Sequence, residues 1–132
     1  MSSLLALDVG TVRIGVAMAD SAVPIAFPVA TLDVDGTEVE QVANLLKDKS
    51  VDTIIVGYPR NQSGEPTAQT ALVEEFADKL RSLATIVFQD ESVTSVTAEN
   101  SLKASGKHYT KADIDAKAAA IILQDYLELH HA

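Results

Sequence analysis

The chain has 132 residues, of which 47% are apolar, no cysteine, and a formal net charge of -9. That is enough material for one core, so a single domain over residues 1–132 is expected; disulfides and thiolate metal sites are excluded, which leaves oxygen and imidazole as metal ligands. The start, MSSLLALDVG, carries no basic leader and no stretch is long enough to span a bilayer, which predicts a cytoplasmic protein with no membrane partner.

Residues 4–9 and 12–19 are rich in β-formers and flank the pair Gly10-Thr11, which predicts an antiparallel hairpin, with a third strand over 25–31. Val39, Val42, Ala43 and Leu46 recur at i, i+3, i+4 and i+7, the stripe of an amphipathic helix from Glu38 to about Lys49. VDTIIVG, 51–57, is a continuous apolar run and predicts a strand buried on both faces. YPRNQSGEP, 58–66, reads as a loop, and Pro66 suits the first turn of a helix whose stripe is Ala68, Leu72, Phe76 and Leu80. TIVFQ, 85–89, is a further strand and ends in Asp90 and Glu91; a helix over roughly 95–104 is closed by Gly106. The last helix starts at Thr110, where Thr110 and Asp113 form a capping-box-like pair, and runs to about Leu129. The sum is an α/β fold, a five-stranded mixed sheet, antiparallel at first and parallel later, with helices on both faces.

Three acids stand where apolar residues would be expected. Asp8 interrupts a buried strand, where an unpaired charge is costly, and Glu91 ends another. The third is chosen by helical geometry. Asp115 has Ala118, Ala119 and Ile122 at i+3, i+4 and i+7, which puts it on the buried stripe, whereas Asp113 serves the cap and has Lys117 at i+4. Carboxylates converging on one point repel unless cations sit between them. An oxygen-only ligand set favours Mg²⁺ or Mn²⁺, and two such ions about 3.5 to 4 Å apart serve phosphodiester hydrolysis. Taken singly, each acid also has a bland reading: a turn, a solvated strand end, a helix cap.

The acidic total counts against nucleic acid as a partner, but Lys103, Lys107, His108, Lys111 and Lys117 fall in one short segment. They fit a phosphate-binding face, and equally a solvated loop and helix start.

D-x-G-x-x-R-I-G-V-A (Asp8 to Ala17), V-G-x-P-x-N-x-x-G (Val56 to Gly64), D-E-S-x-T-S (Asp90 to Ser95) and I-D-A-x-A-A-A-I-I-L-Q-D-Y-L (Ile114 to Leu127) occur in that order. In this the chain resembles the YqgF family, the bacterial pre-16S ribosomal RNA nucleases also described as Holliday-junction-resolvase-like, over nearly its whole length. The resemblance implies a ribonuclease H-like fold and a metal-dependent nuclease that matures the 5′ end of the 16S rRNA precursor or acts on branched DNA. It implies a cytoplasmic protein, monomer or homodimer, with the pre-ribosomal particle as a further partner. Asp8, Glu91 and Asp115 match the family's acids, and Arg13 its arginine, whose guanidinium suits a phosphate, though a strand-edge residue paired with a surface acid explains it as well. Gly57, Asn61 and Gly64 match the loop motif, where Gly64 would let a nucleic-acid backbone approach and Asn61 would donate a hydrogen bond. Thr94 matches the family's threonine, a position that helix capping explains as well. Lys107 and Lys111 are the basic substrate contacts expected from the lysine segment, and Tyr109 beside them is a candidate for base stacking. Many relatives carry arginine where this chain has Ser92, so one phosphate contact is missing.

Two other motifs compete. LDVGT, 7–11, resembles the first phosphate turn of the actin and sugar-kinase superfamily, but those proteins bind ATP between two lobes and 132 residues supply one. LDVDGT, 32–37, matches the nucleophile motif of haloacid-dehalogenase-like phosphatases, yet its setting reads as a polar turn before a helix. A third alternative is a ribosome assembly factor that binds without cutting; three retained acids argue against it.

Overall fold

The computed structural model describes residues 3–20, 22–23, 25–58, 68–90, 102–106 and 110–130. Its elements are β1 (Ser3–Val9), β2 (Arg13–Asp20), β3 (Phe27–Asp33), α1 (Glu38–Asp48), β4 (Val51–Tyr58), α2 (Ala68–Leu80), β5 (Thr85–Asp90) and α3 (Lys111–His130). The five strands form one sheet in the order β3-β2-β1-β4-β5. β1 and β2 are antiparallel, as are β2 and β3, whereas β4 runs parallel to both β1 and β5.

The mixed sheet follows from what joins the strands. Gly10 and its neighbours make a tight hairpin, in which the Gly10 N–H donates to the Arg13 carbonyl at 2.9 Å, and a hairpin can only pair strands antiparallel. The later strands are separated by helices, and a helical crossover returns the chain parallel.

Alternation along the strands divides the interior in two. Leu5, Leu7 and Val9 of β1, Ile14, Val16 and Met18 of β2, and Ile54 and Val56 of β4 pack against Val42 and Leu46 of α1 and Val73, Phe76 and Leu80 of α2. On the other face Ala6, Ala17, Ala19 and Ile55 pack against Ala119, Ala120, Ile122, Leu123 and Leu127 of α3. Helices therefore cover both faces, and β4 is buried on both sides, as its unbroken apolar run requires. The two layers differ in kind. The first is built of large side chains; the second pairs alanine with alanine, which lets α3 lie close to the sheet.

Element boundaries fall within one or two residues of the expected ones, with β3 displaced furthest, to Phe27–Asp33. It is held there by register: Asp33 stands opposite Arg13 and Leu32 opposite Ile14. Of the helix expected over 95–104, the described residues 102–104 are helical, and Gly106 follows at φ +71, the left-handed conformation of a helix-closing glycine.

Candidate active site

The site is set by the closeness of α3 to β2. A Cβ built on Gly15 would lie 1.9 Å from the backbone carbonyl oxygen of Asp115, so no other residue fits there without moving the helix. Gly15 is the direct partner of Asp8 in the β1–β2 ladder. Directly opposed residues share a face, so Asp8 projects on the side that Gly15 leaves open and that Asp115 caps. Asp8, from a strand interior, and Asp115, from the first turns of a helix, therefore meet on one patch of the α3 face although 107 positions separate their numbers.

Arg13 completes the patch. It lies two residues before Gly15, hence on the same face, and its Nε donates to Asp115 Oδ2 at 2.7 Å. Both side chains are half-buried, at 31% and 27% exposure, a setting in which a charge-assisted bond is less screened than at an open surface. Of the two expectations for Arg13, a phosphate contact and pairing with an acid, this structure contains the second.

Local bonds fix the two ends of the site. The Asp113 carboxylate accepts from the Thr110 N–H at 2.8 Å, and the Asp113 N–H donates to Thr110 Oγ1 at 3.3 Å. This reciprocal cap starts α3 at Lys111 and so fixes the turn on which Asp115 sits. At the start of α2, Gln69 Nε2 donates to the Val9 carbonyl at 2.5 Å, which ties that helix to the residue after Asp8. Asp113 and Lys111 are exposed at the start of α3. Asp113 is thus the structural acid and Asp115 the inward one, as the helical period predicts.

Glu91, Asn61, Gly64, Thr94 and Lys107 lie outside the described residues, as do Ser92 and Tyr109. Glu91 directly follows β5, which ends at Asp90. Among the described residues no group of three or more His, Cys, Asp or Glu is gathered closely enough to hold a metal ion. Asp8 and Asp115 offer hard oxygen donors of the kind Mg²⁺ and Mn²⁺ take, and a further ligand has to come from elsewhere in the chain.

LDVDGT is a turn. Asp35 Oδ1 accepts from the Thr37 N–H at 3.0 Å and from Thr37 Oγ1 at 2.6 Å, and these bonds hold its carboxyl below the usual carboxylate range. Its carboxylate thus closes the connection between β3 and α1, while Asp33, the first acid of the motif, ends an edge strand and not the central strand that the phosphatase chemistry needs. Gly15, in contrast, was not singled out as functional in the sequence reading. The available signal was an isolated glycine inside a strand, which marks a place where another backbone comes close.

A five-stranded sheet ordered 3-2-1-4-5, in which β2 alone runs against the other strands, with helices on both faces, defines the ribonuclease H-like class. Solved structures share that fold. RuvC of T. thermophilus in complex with Holliday junction substrate superposes with a TM-score of 0.62 over 99% of this chain and 96% of that one, at 12% identity. The Fowlpox virus resolvase, solved with Holliday junction DNA, gives 0.58 over 96% and 97% at 13% identity. The chain belongs to the RuvX family, described as Holliday junction resolvase, whose model matches residues 2–129. Relatives bearing the name "Putative pre-16S rRNA nuclease" include one from Chloroflexus aurantiacus, 41% identical over 95% of this chain and 86% of its own, and one from Fusobacterium nucleatum, 35% identical over 98% and 99%. The protein is accordingly a member of a nuclease family, a hydrolase of the phosphodiester-cleaving class. No helix among the described residues is long and apolar enough to cross a membrane.

Proposed function

We propose that the chain, acting as a single domain, is a divalent-metal-dependent endonuclease that matures the 5′ end of the 16S rRNA precursor in the cytoplasm. Asp8, Glu91 and Asp115 are its catalytic acids and the ligands of two Mg²⁺ or Mn²⁺ ions. The observation that carries this reading is the meeting of Asp8 and Asp115 across Gly15. Two carboxylates on one face repel each other; Arg13 offsets part of that cost, and divalent cations bound there would offset the rest. The ions, when present, supply the Lewis acidity that phosphodiester hydrolysis needs. The chain's own part is to hold the acids in fixed relation, Asp8 by the central strand and Asp115 by the capped first turns of α3.

Arg13, Asn61, Gly64, Thr94, Lys107 and Lys111 contact the substrate backbone, with Lys111 at the exposed start of α3. The pre-ribosomal particle is the setting in which the precursor is met, and the protein works as a monomer or homodimer. The names of the curated relatives favour the rRNA precursor. The family description favours a second reading, resolution of branched DNA.

The test is cleavage of a labelled 16S precursor 5′ fragment and of a four-way DNA junction, each with Mg²⁺, Mn²⁺ or EDTA, beside Asp8→Asn protein. Metal-dependent cutting of the RNA, lost in Asp8→Asn while the far-UV spectrum is kept, is the expected result. Preferential cutting of the junction would transfer the assignment to branched DNA. Binding without cutting of either, on isolated RNA and on precursor particles alike, would make the protein an assembly factor.

A further inference from the structure

The ion pair at the site bears on how a metal enters it, an inference that rests on the metal-dependent reading above. Asp115 is the acid that α3 lowers onto the sheet, and its Oδ2 is already taken by Arg13 Nε at 2.7 Å. The Arg13 backbone is fixed, because it opens β2 and its carbonyl closes the hairpin through Gly10, so only its side chain can change partners. Its guanidinium, always charged, therefore occupies in this structure the carboxylate that a divalent ion would need.

A carboxylate has lone pairs enough for two partners, so the arginine and the ion might in principle share it. The repulsion between the two cations disfavours sharing. A guanidinium and a divalent ion on one half-buried carboxylate repel each other through a poorly screened medium, with twice the strength of a unit-charge pair. One charge-assisted hydrogen bond returns less than that. The arginine also has somewhere else to go. Asp33 stands directly opposite Arg13 in the β2–β3 register, on the same face, within the range of cross-strand pairs. A phosphate arriving on that face is the other anion it would meet.

We propose that Arg13 and the divalent ion hold Asp115 in turn, so that loading of the metal releases the Arg13 guanidinium from the carboxylate to the face on which a substrate phosphate arrives. Without metal, Arg13 offsets the repulsion between Asp115 and Asp8 and keeps the site assembled. With metal, the same cation becomes a phosphate ligand. Arg13 is thereby a positioning residue first and a substrate contact second, and a phosphate finds it available only when the metal is present.

Two measurements test this without relying on turnover. Binding of Mn²⁺ alone, followed by electron paramagnetic resonance, is compared among the parent protein, Arg13→Gln, Arg13→Lys, Asp8→Asn and Asp115→Asn. Removing the competing charge in Arg13→Gln tightens Mn²⁺ binding by about fivefold, the scale of a half-exposed ion pair, whereas Arg13→Lys stays near the parent. In the parent protein, the Arg13 Nε–H resonance moves from its hydrogen-bonded position as Mg²⁺ is titrated to saturation, and this readout needs no variant to fold. Unchanged or weaker Mn²⁺ binding in a folded Arg13→Gln, or an Nε–H signal that keeps its position at saturating Mg²⁺, overturns the exchange. Loss of Mn²⁺ binding in both aspartate variants alongside such a result leaves the metal site standing and removes only the exchange. Parent-like binding in both aspartate variants would instead remove the metal site and the exchange together.

Discussion

Gly15 shows how much one missing side chain does. It sits in a strand, where glycine loses packing and conformational entropy relative to any β-former, so its presence calls for a local reason. The reason is the Asp115 carbonyl, which occupies the space where a Cβ would be. The clash is with backbone, which has no rotamer to change, so Gly15→Ala must push the start of α3 away from the sheet. Overpacking of this kind costs about 1–3 kcal/mol. Because the displaced turn carries Asp115, activity falls further than stability: we expect Gly15→Ala to melt at a lower temperature and, well below that temperature, to cut at least about tenfold more slowly, since small displacements of a catalytic group weigh heavily on rate. A variant that melts early yet cuts at the parent rate when folded would show that the distance between α3 and β2 does not set the site.

At the scale of the element, α3 is held at its far end by apolar burial and at its near end by a polar cap. Ile122 and Leu123 are fully buried against Ala6, Ala17 and Ile55, each worth about 1.5–3 kcal/mol. The first turn depends on Thr110 and Asp113 instead. Thr110→Ala should lower stability by about 1 kcal/mol, read by thermal or urea denaturation, and fray the turn that presents Asp115. Hydrogen exchange should therefore quicken at the first amides of α3 and stay unchanged around Leu123; uniform quickening along the helix would deny the cap a local role. This cap was legible in the sequence, as was the inward placement of Asp115 beside an exposed Asp113, because both are local patterns within one helical turn or two. The leading hairpin, the two-faced burial of β4 and the helical stripes were legible for the same reason. What could not be read were the pairings between distant segments. Arg13 meets Asp115 across 102 positions, and β3 settles at Phe27–Asp33 because its register is dictated by β2, not by its own composition. Residue type left Arg13 open to a phosphate or to an acid of its own chain, and only the fold says that the partner is Asp115.

For the molecule as a whole, the formal charge of -9 disfavours both the compact state and the approach of a polyanion. A site that binds divalent cations on the folded chain alone eases both. The unfolded chain has no assembled set of acids, so the ion stabilises the native state by linkage. At an Mg²⁺ concentration ten times the dissociation constant the gain is about 1.4 kcal/mol, equivalent to a rise in Tm of about 5 °C for a chain of this size. Diffuse screening of the acidic surface also raises Tm, so the comparison has to be made at matched ionic strength, with NaCl replacing MgCl₂. The parent protein should then keep a saturable Mg²⁺-specific increase that EDTA reverses, while Asp8→Asn, which lacks one ligand but retains nearly all of the surface charge, should lose most of it. An equal Mg²⁺-specific increase in Asp8→Asn would mean that the ion acts through the acidic surface in general, and the meeting of Asp8 and Asp115 would need a different explanation.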